Sequence, residues 1–301
     1  MDVEGKNTEA TNEINERLAY VDFKLFFTGK VSRADLKGAF GIAEAAASRV
    51  LTEYSKLRPN NKTQKTNTII RESFDSLIDI DAELALEMLA NGFNSNKLFG
   101  VTELSYEKIG KIPNRLNLGE VAMITRAISG KYSIFCQYLS NNSVKHDRRN
   151  LVPLAIMYDG TSWMFRAFDR SEKNENKFKN FHFSRIRNVV EDIDSKTAKQ
   201  KENEALSQDK HWNLRLPLIL KLHTSLPEKE RQKVRTDFGI PDDKDEIYVT
   251  ERAAFRWILE KKWHIDARTH TQKEDDKQKR INRFYKFELT NLNMVMNMEG
   301  S

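Results

Sequence analysis

Three arginines recur about one to a strand in a run of short strands between Ala127 and Val190: Arg149, Arg166 and Arg185. A guanidinium presents its donors in a rigid fork that matches phosphate or carboxylate. Strands that brought these side chains together would form a cationic pocket for an anion. A second group stands earlier in the chain. Glu44, Ala45, Ser48, Arg49, Thr52 and Lys56 fall on one helical face, and Lys62 and Lys65 follow in the polar stretch 60–68 (NNKTQKTNT). A slim polar face of this kind can enter a major groove, while lysines on a neighbouring loop hold phosphates. Other chemistries find less support. The six histidines form no metal-ligand pair at i, i+4, and the twelve glycines are scattered rather than gathered into a phosphate-binding loop. Asp194-Ser195-Lys196, with Asp169 upstream, has the residue types of a nuclease but sits in a charged link. No serine, cysteine and histidine stand at a nucleophile–base spacing.

The elements that must position the arginines are strands. Ser133 to Ser140 alternates, with Ile134, Cys136 and Tyr138 on one face and Phe135, Gln137 and Leu139 on the other. Leu151 to Tyr158 is apolar and ends at Asp159-Gly160, which suits a tight left-handed turn. Ser162 to Asp169 follows, then a charged loop, then Phe178 to Ile186. Period two places Trp163, Phe165 and Ala167 opposite Met164, Arg166 and Phe168. Such a set is expected to close into a small barrel.

The polar helix face needs supporting helices. Ile14, Leu18, Val21 and Leu25 predict a first helix that Gly29 stops. Ser32 caps a second, Arg33 to Phe40, with Asp35 near its positive end. Gly41-Ile42 turns the chain into a third, Ala43 to Leu57, whose apolar face is expected to be Ala46, Val50, Tyr54 and Leu57, with Ala43 and Ala47 beside them. From Arg17 to Arg71 there are eleven Lys/Arg against four acids, in a chain whose whole net charge is +6. A basic module on a near-neutral body is an electrostatic footprint for nucleic acid. Segment 60–68 then reads as a wing. Phe74 to Ala90 is predicted helical from Leu77, Ile80, Leu84 and Met88, Leu98 to Asn117 irregular around Gly100, Gly110 and Pro113, and Leu118 to Ile128 helical.

Beyond the strands, Glu191 to Lys210 reads as a solvated charged link. A β-α-β-α-β module follows: strand Leu214–Leu222, helix Pro227–Phe238, strand Glu246–Val249, helix Glu251–Lys262, a polar loop Asp266–Lys279 and strand Phe284–Leu289. Charged residues make up 31% of the chain and no apolar run approaches the roughly 20 residues that span a bilayer. The polar start, Met1 to Ala10, is unlike a signal peptide, and the single cysteine excludes a disulfide framework, so a reducing cytoplasm is the expected compartment, without cofactor or metal.

Arg149-x-Leu151-x-Pro153, Trp163-Met164-Phe165, Arg166-Ala167-Phe168-Asp169 and Phe181-x-Phe183-x-Arg185-Ile186 resemble, in order, the WYL domain, whose name-giving Trp-Tyr-Leu stands here as Trp-Met-Phe. With Gly29-x-Val31-x-Arg33-x-Asp35-Leu36 and Ala47-Ser48-Arg49, the chain resembles the WYL regulators of the BrxR and CapW kind found beside phage-defence operons. The resemblance implies an α+β chain: a winged helix–turn–helix over 1–71, a helical connector over 72–127, a small SH3/Sm-like WYL β-barrel over 128–192, and a linker with an α/β dimerisation domain over 193–301. It implies a homodimeric repressor on a palindromic double-stranded operator. It also implies an anionic effector, a nucleotide or oligonucleotide, held by Tyr138, Ser140, Arg149, Arg166 and Arg185 over Trp163 and Phe181. On the DNA side, Ser48, Arg49 and Thr52 are expected at base edges, with Arg33, Lys56, Lys62 and Lys65 on phosphates. Trp257, Trp263 and Ile265 are candidate dimer anchors. A nucleic-acid-processing enzyme, and an adaptor whose barrel grips an acidic protein, remain the competing classes.

Overall fold

The computed structural model describes residues 15–99, 109–110, 112, 115–140, 148–173 and 177–300. Ile14, Gly100, Pro113 and the polar start lie outside them. Two compact units are present, Met1–Glu204 and Ala205–Ser301.

In the first unit, α1 (Glu16–Thr28) starts where the Asn15 side chain accepts from the Arg17 and Leu18 amides, and ends at Gly29, whose φ of +80° a side chain would resist. A reciprocal Ser32/Asp35 capping box opens α2 (Arg33–Phe40). The third helix, α3 (Glu44–Leu57), buries Ala47, Val50, Leu51 and Tyr54. Its inner face is therefore rotated from the expected one: Leu57 is 44% exposed, Ala43 is exposed, and Leu51 takes the core place. A short hairpin then pairs Lys62 with Ile69, and its outer strand bridges Lys30 through Thr68.

Helix α1 has apolar residues all round because it belongs to two cores. Leu18, Val21 and Leu25 pack with Leu36, Val50 and Tyr54. Ala19, Phe23 and Phe27 pack instead with α4 (Ala82–Asn91), α6 (Leu118–Gly130) and one face of a sheet. Burying Phe23 and Phe27 there stabilises the join by roughly 1.5–3 kcal/mol each. The predicted helix from Phe74 begins only at α4, capped by Asp81, because residues 74–80 are irregular, bending at Leu77 and Ile78, whose amides go to Asp22 instead of to a helix. A one-turn helix, α5, covers Asn96–Phe99.

The sheet holds β1 (Ile134–Tyr138), β2 (Arg148–Tyr158), β3 (Trp163–Asp169), β4 (Phe178–His182) and β5 (Ile186–Glu191), all antiparallel, in the order β4-β3-β2-β1-β5. Among the described residues no pairing joins β4 to β5. The predicted strand Phe178–Ile186 is broken by a 3-10 turn over Phe183–Arg185, which redirects the chain into β5. Ile134, Cys136, Tyr138, Leu151, Trp163, Phe165 and Ala167 face the helices. The Asp159 carboxylate accepts from the Thr161 and Ser162 amides and closes the β2–β3 turn, with Gly160 at φ +95°.

The charged run after β5 is not a solvated link. Asp192 accepts from the Ser133 hydroxyl (2.8 Å), Lys199 bridges Tyr132, and the nearly buried Glu204 takes both arms of Arg170 (2.8 Å each). Partners so distant in sequence leave no local pattern.

The second unit holds α7 (Lys210–Asn213), β6 (Arg215–Leu222), α8 (Glu228–Phe238), β7 (Glu246–Arg252), α9 (Arg256–Trp263), β8 (Ile265–Asp266), α10 (His270–Gln278), β9 (Phe287–Leu289) and α11 (Leu292–Gly300). Its sheet order is β7-β6-β9-β8, with β8 and β9 parallel. Glu251 belongs to β7 rather than to a helix, and the predicted polar loop contains α10, opened by a Thr269/Gln272 capping box. Ile265 is buried and Trp263 packs on the same core, whereas Trp257 is 42% exposed.

Candidate nucleic-acid interface and sheet site

On α3 the side turned away from the core carries Glu44, Ala45, Arg49, Thr52 and Lys56, all exposed, with Ser48 half-buried. Between this face and the hairpin lies a groove of about 510 Å³, bounded by Ser48, Thr52 and Ser55 on the helix and by Gln64, Lys65 and Asn67 opposite. Sequence reasoning did not single out Ser55, Gln64 or Asn67, although Gln64 stands next to the expected wing lysine. Arg33 and Lys37 both reach Glu44 (3.4 and 3.9 Å), so Glu44 serves to tie α2 to the start of α3.

The two wing lysines differ. Lys65 is exposed, but Lys62 is only 3% exposed, and its Nζ donates to Asn67 Oδ1 at 2.7 Å. Burial lowers its pKa from the ordinary lysine value. Lys62 is thus a brace inside the hairpin rather than an arm laid along a phosphate, its ammonium held by Asn67, which stands at φ +48° in the turn.

Behind α3 sits a buried polar network that the sequence did not announce. Asp22, on α1, is wholly buried and accepts from the Tyr54 hydroxyl (2.5 Å), the Ser76 hydroxyl (2.8 Å) and the Leu77 amide (2.9 Å). Asn61, at the root of the hairpin, donates to Tyr54 Oη (2.8 Å) and to the Asp75 carbonyl (2.7 Å). One carboxylate therefore orients α1, α3 and the hairpin together. Burial raises the Asp22 carboxyl above its ordinary range despite these donors, and burial next to Asp22 pushes the Tyr54 hydroxyl up.

The three strand arginines are not brought together. Arg149 pairs in register with Cys136, so it lies on the helix-facing side, where it grips the fully buried Asp169 at 2.5 Å. Arg166 lies on the opposite side of β3, 3% exposed, donating to Asn180 Oδ1 at 2.8 Å. Arg185 is half-buried in the 3-10 turn, and its carbonyl accepts from the Leu139 amide (3.0 Å). Tyr138 and Phe181 do meet, packing edge-on, and the Tyr138 hydroxyl accepts from the His182 amide at 3.2 Å; Arg185 is joined to the residue after Tyr138 through its backbone, and Ser140 is close by in sequence. Trp163 is 7% exposed and packs at a tilt against Tyr158 at the far end of β3. Cys136 is buried in this core, and burial pushes its thiol up to about 12.

Comparison with known proteins bears on both halves of the first unit. Residues 13–80 match the BrxR transcriptional regulator winged helix-turn-helix domain, and residues 119–191 match the WYL domain. The DNA-binding transcriptional repressor CapW of Pseudomonas aeruginosa is 27% identical over 231 residues, covering 74% of each chain. CapW of Escherichia coli (strain KTE188) is 26% identical over 251 residues, covering 81% of this chain and 80% of that one. Among solved structures, proteasome accessory factor B/C of Arthrobacter aurescens shares 16% identity at a TM-score of 0.24; the match covers 80% of this chain and 43% of that one.

Proposed function

We propose, for a chain that is a WYL-domain protein of the BrxR/CapW kind, that it is a DNA-binding transcriptional repressor acting without catalysis. The observation that carries this reading is the polar face of α3, with Arg49 exposed on it, set beside a hairpin groove that Lys65 lines and is exposed on. Ser48, Arg49 and Thr52 then approach base edges, and Lys56 and Lys65 hold phosphates. The curated relatives named as DNA-binding transcriptional repressors support the same reading.

The finer parts of the proposal are a homodimer, a palindromic operator in a phage-defence operon, and an anionic effector such as a nucleotide or oligonucleotide. Two-fold pairing doubles the contact of a single small reading head. Exposed Trp257 on α9, with Lys261 Nζ 5.0 Å from its ring centre, is the anchor we assign to pairing. For the effector, the end of the sheet bearing Tyr138, Ser140 and Arg185 is the favoured site, since Arg149 and Arg166 are already engaged by Asp169 and Asn180. The testing experiment is titration of duplex DNA from upstream of the protein's own coding region with wild type and Arg49→Ala. A loss of about 1–3 kcal/mol, confined to particular base pairs, is expected if Arg49 reads a guanine. Equal binding by both proteins removes the assignment.

A further inference from the structure

Glu191 closes β5, and its side chain is 6% exposed where three elements meet. Its carboxylate accepts from Arg71 (Nε 3.0 Å, Nη2 3.4 Å), from Arg126 (Nε 3.0 Å, Nη2 2.7 Å) and from the Tyr132 hydroxyl (2.5 Å). Arg126 belongs to α6, and its remaining arm, Nη1, donates to the Phe26 carbonyl in the last turn of α1 (2.8 Å). Arg71 follows directly on the second strand of the hairpin, where the Ile69 amide donates to the Gly29 carbonyl (2.8 Å) and the Ile70 amide to Asn61 (2.9 Å). One carboxylate thus binds the end of the sheet both to α1 and to the root of the wing.

The strand that carries Glu191 is built in two parts. Its register with β1 shifts between Phe135 and Gln137, and Asn188 sits there at φ +55° with its amide on Gln137 (2.7 Å). Below the irregularity Ile186 faces Tyr138, and above it Glu191 faces Ile134. A bulge of this kind lets a strand change twist locally without losing its pairing. A buried ion cluster does not follow such a change gradually, since parting one partner leaves uncompensated charge.

We propose that Glu191 is a positioning residue that transmits the state of β5 to the wing and to α1, so that occupancy at the Tyr138 end of the sheet resets how the winged helix meets DNA. This rests on the reading of the winged helix as the DNA-binding part and of the sheet as the sensor. Coupling through a shared junction is reciprocal, so DNA bound at α3 must be felt at β5.

The experiment is amide hydrogen exchange on the full chain, free and with the upstream duplex, for wild type, R71A and R71K. Arg71 is the partner cut because its side chain is 27% exposed and it lies outside both hydrophobic cores of this unit. In wild type, DNA should slow exchange at α3 and the hairpin and also, by about tenfold, at Val190–Asp192 and Tyr132. In R71A the protection of α3 should persist while the effect at β5 disappears, and R71K should restore part of it. An R71A protein that relays protection to β5 as wild type does overturns the proposal. If DNA protects neither α3 nor the hairpin in wild type, the DNA-binding reading fails instead. The junction is then judged on the free proteins: R71A should speed exchange at Ile69–Ile70 and at Val190–Asp192 together, by about tenfold. Acceleration confined to the wing overturns it.

Discussion

Replacing Tyr54 by Phe removes one oxygen from the middle of the Asp22 network and changes almost nothing else. The ring is fully buried and stays filled, so no cavity forms. Asp22 loses one of its donors but keeps Ser76 and the Leu77 and Ile78 amides, and Asn61 keeps the Asp75 carbonyl. A hydrogen bond to a charged acceptor contributes about 1.5–3 kcal/mol, which for a cooperative unit of this size lowers the melting temperature by about 3–12 °C. The pH dependence gives a second readout. Burial holds the folded Asp22 pKa above its ordinary 3.8, so the protonated form is favoured on folding and stability from this group grows as pH falls. The Tyr54 bond works the other way, lowering that pKa, so its contribution is complete when Asp22 is ionised and fades as pH drops through the folded value. The Y54F defect should therefore be largest at about pH 7.5 and shrink toward about pH 4.5. The assay is urea denaturation of both proteins across that range. A variant within about 0.5 kcal/mol of wild type, or a defect that ignores pH, refutes the reasoning.

The wing lysines should separate in a salt titration of DNA binding: Lys65→Ala lowers the slope of log affinity against log salt by roughly one, whereas Lys62→Gln leaves the slope and loosens the hairpin. Equal slope changes would show that Lys62 swings out to the backbone. Arg149→Ala leaves Asp169 buried with, among the described residues, the Ser171 amide as its side-chain partner, and should cost about 3–5 kcal/mol of stability in a denaturation curve. A fully stable R149A would return this arginine to the list of ligand contacts. Cys136, its thiol held near 12, should resist alkylation at mildly alkaline pH until the protein is denatured, which intact-mass measurement reads directly.

Local chemistry was legible in the sequence and distant pairing was not. Gly29 and the Ser32/Asp35 pair mark their helix ends, and strand alternation assigned the two sides of β3 correctly. The same alternation argues against convergence of Arg149 and Arg166 once the register Cys136–Arg149 is known, but register is a tertiary fact. On α3 an alanine at each of positions 45 to 47 gives little signal of which side is buried, and the inner face turns on Ala47 and Leu51 beside Val50 and Tyr54. Glu191 looked like the start of a solvated run, since its partners Arg71 and Arg126 stand 120 and 65 residues away. The Thr269/Gln272 box that opens α10 is a local signal, set among residues so polar that the stretch reads as a loop.

Helix α1 also bears on how such chains can be recombined. A winged helix cut out at residue 71 would carry Ala19, Phe23 and Phe27 into water as an apolar stripe, so it is not a detachable cassette. A chimera that grafts it onto a foreign sheet must bring α6 as well, or redesign that stripe to fit its new neighbour. Leu18, Val21 and Leu25 are free to drift with the reading head, while the other face must change in step with the sheet. A swap of whole parts made where one compact unit ends at Glu204 and the next begins at Ala205 would divide none of the three hydrophobic cores.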